Sequence, residues 1–228
     1  MTGKAANTQL VLTVPATVVG SLYQHERFHD ERSAIDFTES AIAASGSFVD
    51  RNLAENDPDL VQIIAYGLLR HGNRILCVRR TKKTQRDVLR LKYTVLFGGH
   101  VDDVSSKTPV VDCVTREMSE ELGIVPGMTP QLLGVVTDPT NAVGRLHLGL
   151  VFDVVHPTAT IELSSSLDRG EFVGSRRNIV YEFLDWKELR SRENSFDPWS
   201  RLFLMSQKAE RLLGASCITQ RSFEWMDV

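Results

Sequence analysis

The sequence predicts an α/β protein in which helices cover a β-sheet. Two observations lead to this prediction. Short runs rich in Val, Ile and Leu, typical of strands, flank one central amphipathic segment at residues 109–122. A second amphipathic segment, residues 199–213, lies near the C-terminus and is expected to cover the sheet as a helix. No internal repeat suggests a different architecture.

Composition indicates an ordinary globular protein and excludes several classes. Of the 228 residues, 42% are hydrophobic and 24% are charged. The net charge of −3 argues against a general nucleic-acid-binding protein, which would be strongly basic. Three widely spaced cysteines exclude a disulfide framework and suit a reducing compartment. Because no apolar run approaches ~18 residues, we expect no membrane span and a cytoplasmic protein.

The first part of the chain contains a short histidine motif that has two possible interpretations. Residues 9–19 predict a strand broken at Pro15, and residues 36–44 predict a short helix. Between them, His25, Glu26 and His29 match the His-Glu-x-x-His pattern of zinc proteases, which requires both histidines on one face of a buried helix. The flanking residues are almost wholly polar, so we predict a solvated helix or loop here instead.

The middle of the chain predicts most of the sheet. Residues 60–69 and 74–80 read as strands joined by a turn at residues 71–73, which indicates a hairpin. A third strand is expected at residues 93–97. After the central helix, strands are expected at residues 131–136, 146–155 and 178–184, followed by a helix at residues 186–190.

The central helix has clear signals at both ends and an acidic strip. Thr108 is a good N-cap, Pro109 a good first residue and Gly123 a good stop. At about 100° per residue, Glu117, Glu120 and Glu121 lie close together on the helix surface. Carboxylates this close repel one another, which raises their pKa values. A bound Mg²⁺ or Mn²⁺ would remove this repulsion. A solvated acidic face is the ordinary explanation for a glutamate cluster taken alone.

Residues 116–124, Arg-Glu-Met-Ser-Glu-Glu-Leu-Gly-Ile, resemble the second half of the Nudix box at every position. The first half departs from the pattern. Counted back from Arg116, the box Glu and Gly positions hold Thr108 and Asp102, and Gly99 implies a loop three residues longer. Residues 54–58, 97–101, 143–149 and 197–200 also resemble a subgroup of predicted bacterial Nudix phosphoesterases, so the resemblance spans about residues 8–205.

The resemblance implies a Nudix-like α/β/α sandwich with a mixed β-sheet. It also implies a Mg²⁺-dependent hydrolase, with Mn²⁺ as an alternative, that cleaves a diphosphate linkage in a nucleoside diphosphate derivative by water attack at phosphorus. We expect one domain, with residues 1–55 as an N-terminal segment packed on the core, 56–195 as the Nudix core, and 196–228 as the C-terminal helix and tail. A homodimer is a further expectation by analogy.

The same resemblance assigns roles to residues of the box. The Gly98 carbonyl, Glu117, Glu120 and Glu121 resemble the metal ligands. Glu117 also resembles a general base, and Arg116 the arginine that holds the box carboxylates by ion pairing. The catalytic set expected on this basis is Glu117, Glu120, Arg116 and Glu171.

Glu171 enters because some Nudix enzymes use a glutamate outside the box as the base. It lies in a predicted loop, with Glu162 as second choice, and an ordinary exposed glutamate is the alternative for either residue. Gly99 and His100 border the site and are assigned to substrate binding; a role in a structural turn is the alternative for His100.

Arg79 and Arg80 end a strand expected to run beside the glycine turn, and arginine suits phosphate oxygens. We therefore predict that they contact substrate phosphates, together with Lys82 and Lys83; a solvated basic hairpin is the alternative.

Two other functions fit the same residues. The changed box loop favours a nucleotide-sensing Nudix module that binds without turnover. A Nudix-type isomerase of a small diphosphate is the third hypothesis. The intact helix carboxylates favour the hydrolase.

Overall fold

The computed structural model describes residues 9–80, 92–158 and 179–214, in which strands and helices alternate along the chain. The strands are β1 Leu10–Pro15, β2 Arg27–His29, β3 Ser47–Asp50, β4 Leu60–His71, β5 Arg74–Arg80, β6 Tyr93–Thr94, β7 Phe97–His100, β8 Gln131–Thr137, β9 His147–Val155 and β10 Ile179–Leu184. The helices are α1 Ala16–Val19, α2 Arg32–Ser45, α3 Arg51–Ala54, α4 Pro109–Leu122, α5 Ala142–Arg145, α6 Trp186–Ser191, α7 Pro198–Leu204 and α8 Gln207–Gly214.

Strand β4 is the centre of one mixed sheet with the order β10-β5-β4-β9-β8-β2. β4 runs parallel to β9 and antiparallel to its partners on the other edge. Along that edge β4 pairs in turn with β1, β7 and β5. β1 also pairs with β3, so residues 10–15 connect residues 47–50 to the central strand. β7 is therefore held directly against the middle of β4.

Two apolar layers cover the two faces of the sheet. On one face, Ile63 and Ala65 of β4 belong to a buried cluster that includes Met118 of α4. On the other face, Leu68 of β4 belongs to a second cluster with Phe203 of α7. Because successive strand residues point to opposite faces, a strand buried on both sides reads as a continuous apolar run, as β4 does. The result is an α/β/α sandwich.

The elements with strong local signals are where the sequence predicts them. The β4–β5 hairpin forms, and Gly72 in its turn has φ +59°, a left-handed conformation that favours glycine. The expected strand at residues 9–19 is right only as far as Pro15, where α1 begins. The expected single helix at residues 199–213 is two helices, α7 and α8, because the chain turns after Leu204.

The His25–His29 segment is neither a helix nor a loop throughout, since residues 27–29 form β2 and pair with β8. The prediction of a solvated helix or loop was wrong for these residues. The His29 Nε2 atom lies 3.1 Å from the Thr137 Oγ1 atom. The two histidines do not share a helix, so the zinc-protease geometry is absent. In the described ranges, no helix has the length and apolarity needed to cross a membrane.

Candidate active site

Helix α4 begins and ends at the residues that its sequence signals predict. Pro109 is its first residue, and Gly123 follows its last residue with φ +69°. The Gly123 N–H donates to the carbonyls of Met118 and Ser119, which satisfies the end of the helix. Thr108 precedes the helix, but its side chain accepts no capping bond; its Oγ1 atom donates to Asp112 Oδ2 at 3.2 Å instead.

The acidic strip of α4 lies beside the buried stripe, as the helical period requires. Val114, Met118 and Leu122 are fully buried against the sheet. The Glu117 side chain is only 12% exposed, whereas that of Glu120 is 58% exposed. Glu121 is half-buried. The strip therefore runs from a carboxylate pressed against the sheet to one that faces solvent.

Arg116 connects this strip to the loop after β7. Its Nη1 atom lies 2.8 Å from Glu117 Oε1 and 3.1 Å from Glu120 Oε2. Its Nη2 atom lies 3.0 Å from Asp102 Oδ1 and donates to the His100 carbonyl at 3.4 Å. Burial lowers the pKa of Arg116, but the neighbouring carboxylates raise it by more, so the guanidinium stays charged. The arginine is the hub of the site.

The glycine pair of β7 makes room for Glu117. Gly98 and Gly99 pair with Tyr66 and Ala65 of β4. A Cβ atom added at Gly99 would lie 2.6 Å from Glu117 Oε1, and one added at Gly98 would lie 1.9 Å from the Ala65 carbonyl oxygen. Each position therefore needs glycine, Gly98 for the backbone of β4 and Gly99 for the carboxylate.

The environment of Glu117 disfavours its charged form. Burial raises the pKa of Glu117, Arg116 lowers it, and the nearby charges of Glu120 and Asp102 raise it again. The net direction is upward from the usual glutamate value. The surroundings of Glu117 therefore favour the protonated form of its carboxyl group more than water does.

A hard divalent cation fits this donor set. The strip offers carboxylate oxygens, which Mg²⁺ and Mn²⁺ prefer, and the open side of Gly99 leaves the Glu117 carboxylate lying along the backbone of β7. Among the described residues, no three His, Cys, Asp or Glu side chains already stand in metal-binding geometry. Arg116 takes one oxygen each of Glu117 and Glu120, so a cation would share these carboxylates with the guanidinium.

The His100 side chain points away from α4. Its neighbour Gly99 pairs with Ala65 on the α4 face, so His100, which pairs with Ile64, faces the other side. There its Nε2 atom lies 3.3 Å from the Nε2 atom of His147, which is the first residue of β9. Burial, with Arg51 and His147 nearby, lowers the pKa of His100 to about 3, so the imidazole is neutral. Only the His100 carbonyl touches Arg116.

Arg79, one of the basic residues expected at the site, lies away from α4. The Arg79 guanidinium lies 5.5 Å from the centre of the Tyr93 ring, and Tyr93 packs on Phe196 in the layer opposite α4. The Arg80 backbone pairs with Ile179 of β10. The expected residues Lys82, Lys83, Glu162 and Glu171 lie outside the described residues.

One contact of the site has no signal in the sequence, namely the ion pair between Asp102 and Arg116. Spacing places Asp102 at the box Gly position and Thr108 at the box Glu position, but it gives Asp102 no partner. The structure shows that a loop carboxylate reaches Arg116 even though Thr108 carries none. Asp102 can make this contact because it lies two residues after the end of β7, beside the helix that carries Arg116.

Comparison with known proteins decides the family. The family model of the NUDIX domain matches residues 60–204, from the start of β4 to the end of α7. The chain belongs to the Nudix family. The match includes β7, α4 and the loop between them, so the hub at Arg116 lies within the Nudix domain. The predicted Nudix-like α/β/α sandwich with a mixed sheet is confirmed.

The chain is also similar to individual proteins. Protein YmaB of Bacillus subtilis (strain 168) is 24% identical over 182 residues, which cover 76% of this chain and 84% of YmaB. The crystal structure of Tm1382, assigned to the Nudix hydrolases, has a TM-score of 0.67 and 21% identity, covering 86% of this chain and 96% of that chain. The Nudix fold therefore extends into residues N-terminal to the matched domain. A MutT protein from Methanosarcina mazei Go1 is 23% identical over 66% of this chain and 94% of its own, with a TM-score of 0.48.

Proposed function

We propose that this Nudix protein is a Mg²⁺-dependent hydrolase that cleaves a diphosphate linkage in a nucleoside diphosphate derivative by attack of water at phosphorus. The observation that carries the proposal is the placement of Glu117. Its carboxylate is pressed against the backbone at Gly99 and paired with Arg116 at 2.8 Å, and Glu120 and Glu121 follow it on the same helix. A merely solvated acidic face would not bury one of its carboxylates against a glycine.

Each residue of the strip has a task in this proposal. Glu117, Glu120, Glu121 and the Gly98 carbonyl would hold the cation, which when bound supplies charge neutralisation for the diphosphate and acidifies water. Where Glu117 is not a ligand of the cation, it is a candidate general base that takes a proton from the attacking water. Arg116 keeps Glu117 and Glu120 in fixed positions. Glu171 is retained as a candidate base outside the box.

In this proposal, the backbone of β7 borders the bound substrate. Gly99 lies at the site, and the His100 backbone borders it, so both can face a bound diphosphate. The His100 imidazole and the Arg79 guanidinium lie on the opposite face of the sheet. A direct phosphate contact by Arg79 would require the substrate to extend around the sheet edge.

A second candidate function is a nucleotide-sensing module without turnover. The observation that favours it is the engagement of Glu117 and Glu120 by Arg116, together with the loss of a carboxylate at Thr108. A guanidinium that neutralises these groups permanently would leave a binding site with no base. The two candidates predict different outcomes in one experiment.

The experiment compares wild type with Glu120→Gln on a panel of nucleoside diphosphate derivatives in the presence of Mg²⁺. Glu39→Gln, at an exposed position on α2, is the matched control. We expect wild type and the control to hydrolyse at least one substrate, with the Glu120→Gln rate at least about 100-fold lower. Incorporation of ¹⁸O from labelled water into a phosphate product would identify attack at phosphorus. Retained nucleotide binding without turnover of any substrate would overturn the hydrolase and support the sensor.

A further inference from the structure

Asp102 divides the contacts of Arg116 between the loop and the helix. The Nη2 atom of Arg116 faces the loop, 3.0 Å from Asp102 Oδ1, whereas its Nη1 atom faces Glu117 and Glu120 of α4. The Asp102 side chain is 30% exposed and that of Arg116 35%, so solvent weakens but does not abolish their attraction. Because the guanidinium is planar, fixing one Nη atom also fixes the direction of the other.

The second oxygen of Asp102 is held by the N-terminal segment. Gln9 Nε2 donates to Asp102 Oδ2 at 3.4 Å, and Arg51 Nη1 donates to Gln9 Oε1 at 3.1 Å. Arg51 in turn pairs with Glu55 at 2.8 Å. The Gln9 side-chain amide therefore donates to Asp102 through its nitrogen and accepts from Arg51 through its oxygen. A continuous row of polar contacts runs from α3 to the hub of the site.

The backbone beside Asp102 is fixed by the same segment. The Leu12 N–H donates to the Val101 carbonyl at 2.7 Å, and the Val101 N–H donates to the Ile63 carbonyl at 3.3 Å. Val101 is fully buried between β1 and β4. The position of the Asp102 carboxylate therefore depends on β1, which lies outside the residues matched by the family model.

We propose that Asp102 is a positioning residue. The N-terminal segment anchors Asp102, and Asp102 holds the Arg116 guanidinium in place. Arg116 in turn keeps Glu117 and Glu120 in the geometry in which they act. The expected change in kcat rests on the proposed function, whereas the expected movement of the Arg116 guanidinium rests on the contacts alone. Without the loop carboxylate, the anionic partners that the guanidinium keeps among the described residues are both on α4, and it moves toward them. The two helix carboxylates then lose the geometry in which they act.

The kinetic test uses Asp102→Asn, which keeps the size of the side chain and removes its charge. We expect kcat to fall about 10- to 100-fold, the usual effect of losing a group that orients a site residue, with KM changed less than about 2-fold. Asp102→Glu should recover part of the loss, and Gln9→Ala should show a smaller loss in kcat. The matched control is Asp103→Asn, because the exposed Asp103 carboxylate bonds to the N–H and hydroxyl of Ser105.

A double-mutant cycle asks whether Asp102 acts through Arg116. If it does, Asp102→Asn should cost little further activity in an Arg116→Gln background, so the two effects are not additive. Additive losses, or an Asp102→Asn enzyme as active as wild type, would overturn the proposal. An equal loss in Asp103→Asn would also overturn it, because loop charge in general would then be responsible.

Crystal structures of wild type and Asp102→Asn decide the same question without activity. The proposal predicts that the Arg116 guanidinium leaves its wild-type position in the variant while α4 stays in place. An unmoved guanidinium would overturn it. If wild type hydrolyses nothing on the panel, the proposed function fails, and the position of Arg116 still confirms or refutes the anchoring role of Asp102.

Discussion

Replacing Gly99 with alanine tests whether the glycine pair exists to seat a catalytic carboxylate. The added Cβ atom would lie 2.6 Å from Glu117 Oε1 and 3.0 Å from its Cδ atom. An ordinary carbon–oxygen contact is about 3.4 Å, so the carboxylate must retreat by roughly 0.8 Å. The atoms in the way belong to the end of a flexible side chain, so the fold can accept the change while the carboxylate moves.

A displacement of this size predicts a large kinetic effect and a small effect on stability. Misplacing a reacting group by about 1 Å can lower the rate by about 10²-fold. We therefore expect kcat of Gly99→Ala to be about 10- to 100-fold below wild type. Its free energy of unfolding should change by less than about 1 kcal/mol, because the end of the flexible Glu117 side chain can move away from the added methyl group.

The assay is steady-state hydrolysis of the best substrate on the panel, with urea unfolding in parallel. Gly127→Ala is the control, because nothing lies within 4 Å of its added Cβ atom. Gly98→Ala should behave differently, since its Cβ atom would lie 1.9 Å from a backbone oxygen of β4. We expect it to lose about 3 kcal/mol of stability. Wild-type kcat in Gly99→Ala would refute the reasoning, because Glu117 would then not need the space at residue 99.

Two further predictions concern stability. In metal-free protein, Glu117→Gln should raise the melting temperature at pH 8 but not at pH 4. Burial raises the pKa of Glu117 in the folded state, so ionisation of this carboxyl group destabilises the folded state as the pH rises from the unfolded pKa through the folded pKa. Below the unfolded pKa the group is protonated in both states and this loss of stability is absent. Equal melting temperatures at pH 8 would contradict this. Asp153→Asn should lower the free energy of unfolding by about 3 kcal/mol in urea titrations, because it leaves Arg70 without its buried partner. In the wild type, Arg70 donates to both Asp153 oxygens, at 3.0 and 2.6 Å. The Arg70 side chain is 20% exposed and that of Asp153 9%. The control is Asp36→Asn, which removes an exposed ion pair with Arg32 and should change the free energy of unfolding by less than about 1 kcal/mol. A similar loss of stability in Asp153→Asn and Asp36→Asn would show that burial of the ion pair is not the cause.

Local signals in the sequence were sufficient for α4 and for the β4–β5 hairpin. Pro109 and Gly123 define the ends of α4 through backbone chemistry that depends on a few neighbours, and the spacing of Glu117, Glu120 and Glu121 defines one strip of its surface. The box resemblance added the interpretation of that strip. These are the parts of the site that require no knowledge of the rest of the chain.

The remaining parts depend on contacts between distant residues. Strand β3 and helix α3 follow one another over residues 47–54, which show no clear period, and β3 is stabilised by pairing with β1. The bond between Gln9 and Asp102 joins residues 93 positions apart. Such a contact leaves no pattern in one sequence, so the partner of Asp102 could not be predicted.

The placement of Arg79 shows a second kind of limit. Its strand, β5, is covered on both faces, with Val78 in the α4 layer and Cys77 in the opposite layer. Alternation along the strand therefore puts Arg79 with Cys77, away from α4. The sequence shows that β5 is apolar but does not show which face receives α4, so proximity to the glycine turn was a poor guide to the direction of the side chain.

The central claim is that the carboxylates of α4 hold a divalent cation, and Mn²⁺ binding measured by electron paramagnetic resonance tests it most directly. We expect wild type and Glu39→Gln to bind Mn²⁺ with equal affinity. Glu117→Gln and Glu121→Gln should each bind at least about 10-fold more weakly, because each removes a hard oxygen ligand. Wild-type affinity in both of these variants, or no Mn²⁺ binding by the wild type, would contradict the account.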